Sequence, residues 1–522
     1  MLDLFDFDSV ADEVDQSTPD SKSICQFSGD KNEILKKYFG FDSFRLGQQE
    51  IIDTIINDEE CKGVLAVMAT GAGKSLLFQL PAMMSNGLTI VVSPLISLMK
   101  DQVDSMVDKG MEACTINSTM TEKQVDDVMS NLGDCKLLYV SPERFKNEDF
   151  VNSIVRQRIG LFAVDEAHCI SQWGHDFRLS YSKLKEAIKS VSPARVVALT
   201  ATATPEVQED ICRQLNMENA HKFVRGTYRS NLKISINQCS EDNKIRSVTN
   251  RLEKLIYKLR DDGVKNPTGI IYTATKKYAE VISRHLNGIG YRATFYHGGL
   301  GGKARTNIQD GWAKNGGIIV ATCAFGMGID RPDVRFVFHC GLTGSISEWW
   351  QMIGRSGRDG KEALCMTFFD QTPDYELQMF LLNMTNPTAS DIKRFWKWLL
   401  KFAYRQVEPG AKTTVVNLTQ KEMSSKSGCY NVGSIVSFLK KRNLISTLGR
   451  GKYRVMLKNP EFDFAALDEL RKKNIMALNN VLDFFRSDCC RMAYICEHYG
   501  DTTFVGRCEG CDWCRKNQGN LT

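Results

Sequence analysis

The pattern of apolar runs predicts an α/β fold: two tandem units, each a parallel sheet with flanking helices, then a helical cysteine-rich region carrying an inserted helix–helix–hairpin unit. Three observations carry this prediction. Short apolar strands alternate with helical stretches twice in succession, a glycine-rich loop of phosphate-binding type follows the first strand, and the last stretch of chain repeats cysteines at metal-ligand spacing.

Residues 1–30 are acidic, lack Lys or Arg until Lys22 and carry spaced Leu and Phe. They read as a disordered solvating tail; the alternative is an acidic-aromatic docking peptide for a protein partner with a basic groove. In 31–222, strands are expected at 64–69, 88–93, 136–140, 161–164 and 195–199. In 223–370 they are expected at 269–272, 293–296, 318–321, 336–339 and 364–368. Residues 371–413 read as a helical linker. In 414–458, TQKEMSSKSG and VGSIVSFLKKRNLI have helical spacing, and STLGRGKYRVML reads as a basic hairpin with its tip at Gly449-Arg-Gly-Lys452. Two helices and a basic hairpin suggest a winged-helix-like unit, with a plain helical connector as the alternative.

The segment Met68-Ala-Thr-Gly-Ala-Gly-Lys-Ser75 stands between an apolar strand and a helix. Gly71 and Gly73 let backbone N–H groups of Thr70, Gly71, Ala72 and Gly73 turn toward phosphate, Lys74 can reach β/γ oxygens, and the Ser75 hydroxyl suits Mg²⁺. The strict signature has glycine where Met68 stands. A second site, Val164-Asp-Glu-Ala-His168, ends another apolar strand about 90 residues later. There Asp165 suits a Mg²⁺ shell and Glu166 suits a general base that polarises water. The two sites in this order point to a nucleotide triphosphatase that uses Mg²⁺.

Composition bounds the rest. A chain of 522 residues holds three or four domains, and 43% hydrophobic with 25% charged residues is ordinary globular usage. The net charge of +5 is too mild to identify a nucleic-acid partner alone. Seventeen cysteines without a leader or an apolar run near 18 residues argue for a reducing intracellular compartment, with thiols free or metal-bound and no membrane partner. In 459–522, Cys508-x₂-Cys511-x₂-Cys514 suits tetrahedral Zn²⁺, the fourth ligand being Cys489, Cys490, Cys496 or His498.

These motifs resemble the RecQ family of superfamily 2 DNA helicases, from about Tyr38 to Cys514. The resemblance implies two RecA-like lobes followed by a helical zinc-binding region. FGFDSFRLGQQEII is similar to the family's adenine motif, in which Arg45 and Gln48 contact the base and Phe41 stacks on it. VVSPLISLMKDQV and LYVSPERF resemble its strand-contacting motifs, with Ser93 and Ser141 exposed to DNA at strand ends. CISQWGHDFRLSY resembles its aromatic loop, in which Trp173, His175, Phe177 and Arg178 stack on bases and meet phosphate. His168 and Thr200-Ala-Thr202 are expected to transmit that signal. In the second lobe, YTATKKYAE, YHGGLGGKAR and VATCAFGMGIDRPDVR resemble further motifs, from which Thr322 carries over as a DNA contact and Asp330 as a nucleotide contact. Gln351-Met-Ile-Gly-Arg-Ser-Gly-Arg358 is similar to motif VI: Gln351 and Arg355 belong to the catalytic set, Arg358 matches the arginine finger, and both arginines are expected on one face toward the γ-phosphate. The family's four-cysteine pattern selects Cys490 as the first zinc ligand.

The sequence also departs from that family. Met352 stands where glutamate is usual and Gly298 where alanine is common, and a polar contact near ATP is expected to be missing at Met352. The winged-helix-like unit lies inside the zinc region. Only eight residues follow Cys514, so a C-terminal winged helix and a helical accessory module are not expected in this sequence. The implied function is ATP-dependent unwinding of duplex DNA by 3′→5′ translocation on single-stranded DNA, in DNA repair or recombination, within a nucleus or a bacterial or viral-host cytoplasm. The rivals are an RNA helicase or duplex translocase, and a catalytically silent zinc-stabilised adaptor.

Overall fold

A computed structural model describes residues 26–58, 60–171, 178–217, 219–326, 331–408 and 410–517. The acidic tail to residue 25 therefore lies outside the described residues. The first lobe is built on β1 (Gly63–Met68), β2 (Leu88–Val92), β3 (Ala113–Ile116), β4 (Leu137–Val140), β5 (Ile159–Val164), β6 (Arg195–Thr200) and β7 (His221–Arg225). They form one parallel sheet in the order β3-β4-β2-β5-β6-β1-β7. Strands β1, β2, β4 and β5 are buried along their whole length, which is why they read as unbroken apolar runs. Because β6 lies between β5 and β1, the ends of these three strands open side by side on one crevice.

The second lobe has β8 (Leu232–Gln238), β9 (Thr268–Thr273), β10 (Ala293–Tyr296), β11 (Ile318–Ala321), β12 (Val334–Cys340) and β13 (Ala363–Phe369), parallel in the order β10-β11-β9-β12-β13-β8. One boundary needs correction. His221–Arg225 pairs with β1, so the first lobe runs through Arg225 rather than ending at 222, and the second sheet begins at Leu232.

The third sheet is antiparallel: β14 (Thr413–Asn417), β15 (Ile445–Gly449) and β16 (Lys452–Met456), in the order β14-β16-β15. With helices Gln420–Ser427 and Val432–Lys441 it makes the winged-helix arrangement. Its start is earlier than 414. Helix Ala389–Tyr404, capped by Thr388 and Asp391, buries Ile392, Phe395, Trp396 and Leu399 against Val416, Met423, Ile435, Leu439 and Val455. It is part of this unit's core, not of a linker. Helices Gln371–Thr385 and Ala465–Arg486 flank the unit in sequence and lie together, with Tyr375 Oη donating to Asn479 Oδ1 at 2.9 Å and Arg486 Nε to Gln371 Oε1 at 3.0 Å. The unit is thus an insertion between paired helices of the zinc region. That region shares a core with the second lobe: Phe484 and Phe485 pack edge-on against Trp349 at 5.2 and 5.9 Å, contacts that add about 0.5–1.5 kcal/mol each beyond burial. Among the described residues no helix is long and apolar enough to cross a membrane.

Candidate active site

The phosphate loop joins the end of β1 to helix Leu76–Met84, with Ser75 at the helix start. Gly71 and Gly73 have φ of +83° and +79°, a left-handed backbone that side chains disfavour. Lys74 Nζ donates to the carbonyls of Met68 at 3.1 Å and Ala69 at 3.4 Å, beside the acidic pair. Burial pulls its pKa down, opposed by the charges of Glu166 and Asp165. Gln48 is buried and braces this loop: its Nε2 donates to Ala72 and Gly73 carbonyls at 3.1 Å each, and its Oε1 accepts from Arg45 N at 2.9 Å. Arg45 Nη1 in turn donates to Gly71 O at 2.8 Å. Phe41 is 49% exposed. The structure therefore brings Arg45 and Gln48 to the loop, and adds a bracing role for Gln48 that its residue type did not disclose.

Asp165 and Glu166 follow β5, on the opposite side of β6 from the loop. The Asp165 carboxyl is pushed up to about 7 by burial and by the neighbouring Glu166 charge, with Lys74 and the Glu166 N–H opposing. A carboxylate and a hydroxyl such as those of Asp165 and Ser75 are oxygen donors of the kind that suits Mg²⁺. Glu166 has a left-handed backbone, φ +48°, which turns its carboxylate toward His168 Nδ1 at 3.4 Å. His168 Nδ1 also lies 2.9 Å from Thr200 Oγ1, which accepts from Thr202 N at 3.2 Å. His168, Thr200 and Thr202 are thus joined by hydrogen bonds, with His168 lying next to the Glu166 carboxylate.

Gln351 lies on helix Ile346–Ile353 and Arg355 and Arg358 on the turn after it. With Thr202, Met352 and Arg355, Gln351 lines an interlobe cleft of about 960 Å³. The arginines make different contacts, although Arg355 also feels the charges of Arg358 and Glu166. Arg355 is buried and donates to Gly326 O within its own lobe, burial lowering its pKa. Arg358 crosses to the phosphate loop, where its Cγ would lie 3.3 Å from a Cβ placed on Gly71. The helix ends at Ile353, so the i,i+3 geometry of a helix does not apply to the pair. Met352 faces inward, its Sδ 3.2 Å from His339 Nε2, and burial pushes that imidazole down to about 3. The missing glutamate thus bears on a buried histidine of β12. Asp330 lies outside the described residues.

Sequence reasoning missed Arg229. Its guanidinium donates to the carbonyls of Gly354 at 3.3 Å, Ser356 at 3.0 Å and Gly357 at 2.6 Å, holding the turn that carries both arginines. Nothing local signals this, since more than a hundred residues separate the partners.

Trp173, His175 and Phe177 of the aromatic loop lie outside the described residues. Arg178 closes that loop, its Nη1 donating to Pro94 O at 3.1 Å beside Ser93. Ser93 and Ser141 need correction: both are 2% exposed, and their amides are held by Val140 O and Ile116 O in the strand ladder, so their hydroxyls are not offered at the surface. Thr322, after β11, is also buried.

In the zinc region the Sγ atoms of Cys490, Cys508, Cys511 and Cys514 lie within 4.8 Å of one another. Cys508 N donates to Cys490 Sγ at 3.3 Å and Cys514 N to Cys511 Sγ at 3.4 Å, backbone bonds that suit thiolates. Four convergent sulfurs fit one Zn²⁺. Cys496 is buried elsewhere in helix Arg491–Tyr499, Cys489 donates to Ser487 Oγ, and His498 lines the interlobe cleft. Not every remaining thiol is free: Cys114 of the edge strand β3 is paired with Cys135 as a disulfide. The region also grips both lobes. Tyr499 O accepts from Gln208 Nε2 of the first lobe at 3.0 Å, Tyr499 Oη meets Ser347 Oγ of the second at 3.2 Å, and Asp501 accepts from Thr227 N between them at 2.8 Å.

Three family descriptions match: DEAD/DEAH box helicase over 45–211, helicase conserved C-terminal domain over 248–360 and RecQ zinc-binding over 450–515. The chain is 41% identical over 364 residues to the ATP-dependent DNA helicase RecQ of Haemophilus influenzae, covering 69% of this chain and 56% of that one. It spans little more than half the length of the RecQ relatives it matches. Helicase Lhr of Mycobacterium smegmatis, solved with single-stranded DNA and AMP-PNP, shares the fold with a TM-score of 0.51 at 15% identity, over 82% of this chain and 60% of that one. A second relative, the probable ATP-dependent DNA helicase RecS of Bacillus subtilis, is 38% identical over 365 residues, 69% of this chain and 71% of its own length. On that match, and on a RecQ zinc-binding segment joined to two helicase lobes, the chain belongs to the RecQ family of helicases.

Proposed function

We propose that the protein is an ATP-dependent DNA helicase that translocates 3′→5′ on single-stranded DNA and separates duplexes in DNA repair or recombination. The carrying observation is the meeting of both lobes at one loop: Arg358 packs over Gly71, while Lys74 lies beside Asp165 and Glu166. Such a site hydrolyses nucleotide only when the lobes are together, which couples turnover to their relative motion. Mg²⁺, held by Ser75 and Asp165, would neutralise phosphate charge. Glu166 orients and deprotonates the attacking water, Lys74 binds the phosphates, and Arg358 places a fixed cation where charge develops. His168, Thr200 and Thr202 link Glu166 to the interlobe cleft, a route by which strand binding reaches the base. The polarity and the repair role rest on the family resemblance, and both call for a compartment that holds DNA.

The test is strand displacement on forked and tailed DNA, and on matched RNA, with ATP and without. ATP-dependent separation of 3′-tailed DNA is expected. Separation of RNA alone would favour the RNA-helicase reading, and absence of ATP turnover with single-stranded DNA would favour a silent adaptor.

A further inference from the structure

At the end of the first sheet remote from the phosphate loop, three side chains of different chemistry converge. Asp58 ends helix Gln48–Asn57, Cys61 lies in the short connection to β1, and His221 opens the edge strand β7. One ligand atom from each, a carboxylate oxygen, the thiol sulfur and an imidazole nitrogen, lies within 4.8 Å of the others. Asp58 is held for this task. Its Oδ1 accepts from Glu60 N and Cys61 N at 3.1 Å each, and its carbonyl accepts from Arg195 Nη2 at 2.7 Å, leaving Oδ2 facing His221 Nε2 at 3.3 Å. Cys61 is 3% exposed and its sulfur sits 3.3 Å from Gly63 O, so the thiol is fixed rather than mobile.

We infer that Asp58, Cys61 and His221 form a second zinc site, distinct from the four-cysteine cluster, with three protein ligands and an outer position open to water. Tetrahedral zinc with nitrogen and oxygen ligands at about 2.0–2.2 Å sets those two atoms about 3.3 Å apart, the separation seen here. One thiolate, one imidazole and one carboxylate is a set that zinc accepts, whereas hard cations such as Mg²⁺ or Ca²⁺ favour oxygen alone. Binding replaces the Cys61 S–H proton, which leaves to solvent, and uses the neutral imidazole. The half-exposed His221 side chain gives the ion an entry path. The bound ion would pin the first residue of an edge strand to the turn preceding β1, far from the strand ends where nucleotide chemistry takes place. Its effect is therefore on the stability of the first lobe, not on turnover.

The experiment uses the full chain, equilibrated with micromolar ZnCl₂, desalted and assayed for metal. About two zinc ions per chain are expected for the wild type and about one for His221→Ala and for Cys61→Ser. Co²⁺ added to protein that holds one zinc should give a near-ultraviolet thiolate charge-transfer band, lost in Cys61→Ser and requiring at least about tenfold more Co²⁺ in His221→Ala. His221 is half exposed, so its variant keeps the fold and isolates the ligand. One zinc in the wild type at saturating metal, or a cobalt titration of His221→Ala that matches the wild type, overturns the inference.

Discussion

The loop glycine Gly73 offers the sharpest quantitative test of the site. A Cβ there would lie 2.6 Å from Gln48 Nε2, on a backbone with φ of +79°. Gly73→Ala therefore acts twice. A left-handed conformation costs an ordinary residue about 1–2 kcal/mol, and expelling the Gln48 amide forfeits its bonds to Ala72 O and Gly73 O, about 0.5–1.5 kcal/mol each. The substituted loop relaxes away from this backbone, so nucleotide binding has to restore it. The cost of about 2–5 kcal/mol then appears as roughly 30- to 3000-fold weaker ATP binding, at about 1.4 kcal/mol per tenfold. Equilibrium binding of a fluorescent ATP analogue reads this directly. Gln48→Ala alone should lose only the hydrogen-bond part, and the double variant should bind little worse than Gly73→Ala, since one contact cannot be lost twice. Gly110→Ala controls for strain: φ is +78°, yet nothing lies within 4 Å of its Cβ, so it should cost stability without touching ATP affinity. Gly73→Ala within about threefold of the wild type, or fully additive costs in the double variant, would refute the bracing role of Gln48.

Lys74→Ala should abolish ATP hydrolysis while DNA binding largely survives in a filter or anisotropy assay; near wild-type hydrolysis would sink the loop assignment. Arg358→Ala should lower kcat by about 10³-fold or more with much smaller loss of ATP affinity, as for other arginine fingers, and an equal loss in both would make it a binding residue only. Arg178→Ala, which releases the aromatic loop from Pro94 O, should keep basal ATPase but weaken its stimulation by single-stranded DNA; unchanged stimulation would leave Arg178 a packing residue. Cys511→Ser should lose about one zinc and lower Tm, because metal binding in such sites is folding free energy, while Cys489→Ser and Cys496→Ser keep that metal. Loss of zinc on changing Cys496 would show a ligand set other than the one the four sulfurs outline.

How much was legible followed from where each residue sits. Strands β1, β2, β4 and β5 could be read because both faces are buried and the run is unbroken in apolar residues. Both edge strands of the first sheet were missed for the converse reason: β7 begins His221-Lys222 in solvent, and β3 is four residues of which three are only half buried. The loop and the acidic pair were legible because their chemistry requires fixed residue types at short offsets. The different contacts of Arg355 and Arg358 were not, because they depend on the helix ending at Ile353 and on Arg229 gripping the following turn from far upstream. Likewise, Ala389–Tyr404 has an apolar stripe that would suit either a linker helix or a domain core, and only its partners decide between them.

Those partners also bear on how the lobes move. Helices Gln371–Thr385 and Ala465–Arg486 pack together across the inserted unit, so that unit hangs from a pair of helices rather than adding a strand to either parallel sheet. The zinc region beyond it is tied to both lobes through the two ends of one residue, Tyr499, and to the connection between them through Asp501. Opening the crevice must stretch the Gln208 bond, the Ser347 bond, or both. Each is worth only about 0.5–1.5 kcal/mol, small enough for a cycle of nucleotide binding and release to break. The cysteines Cys490, Cys511 and Cys514, by contrast, lie in the core that the zinc region shares with the second lobe, so a bound zinc would hold that region to the second lobe while the first lobe turns.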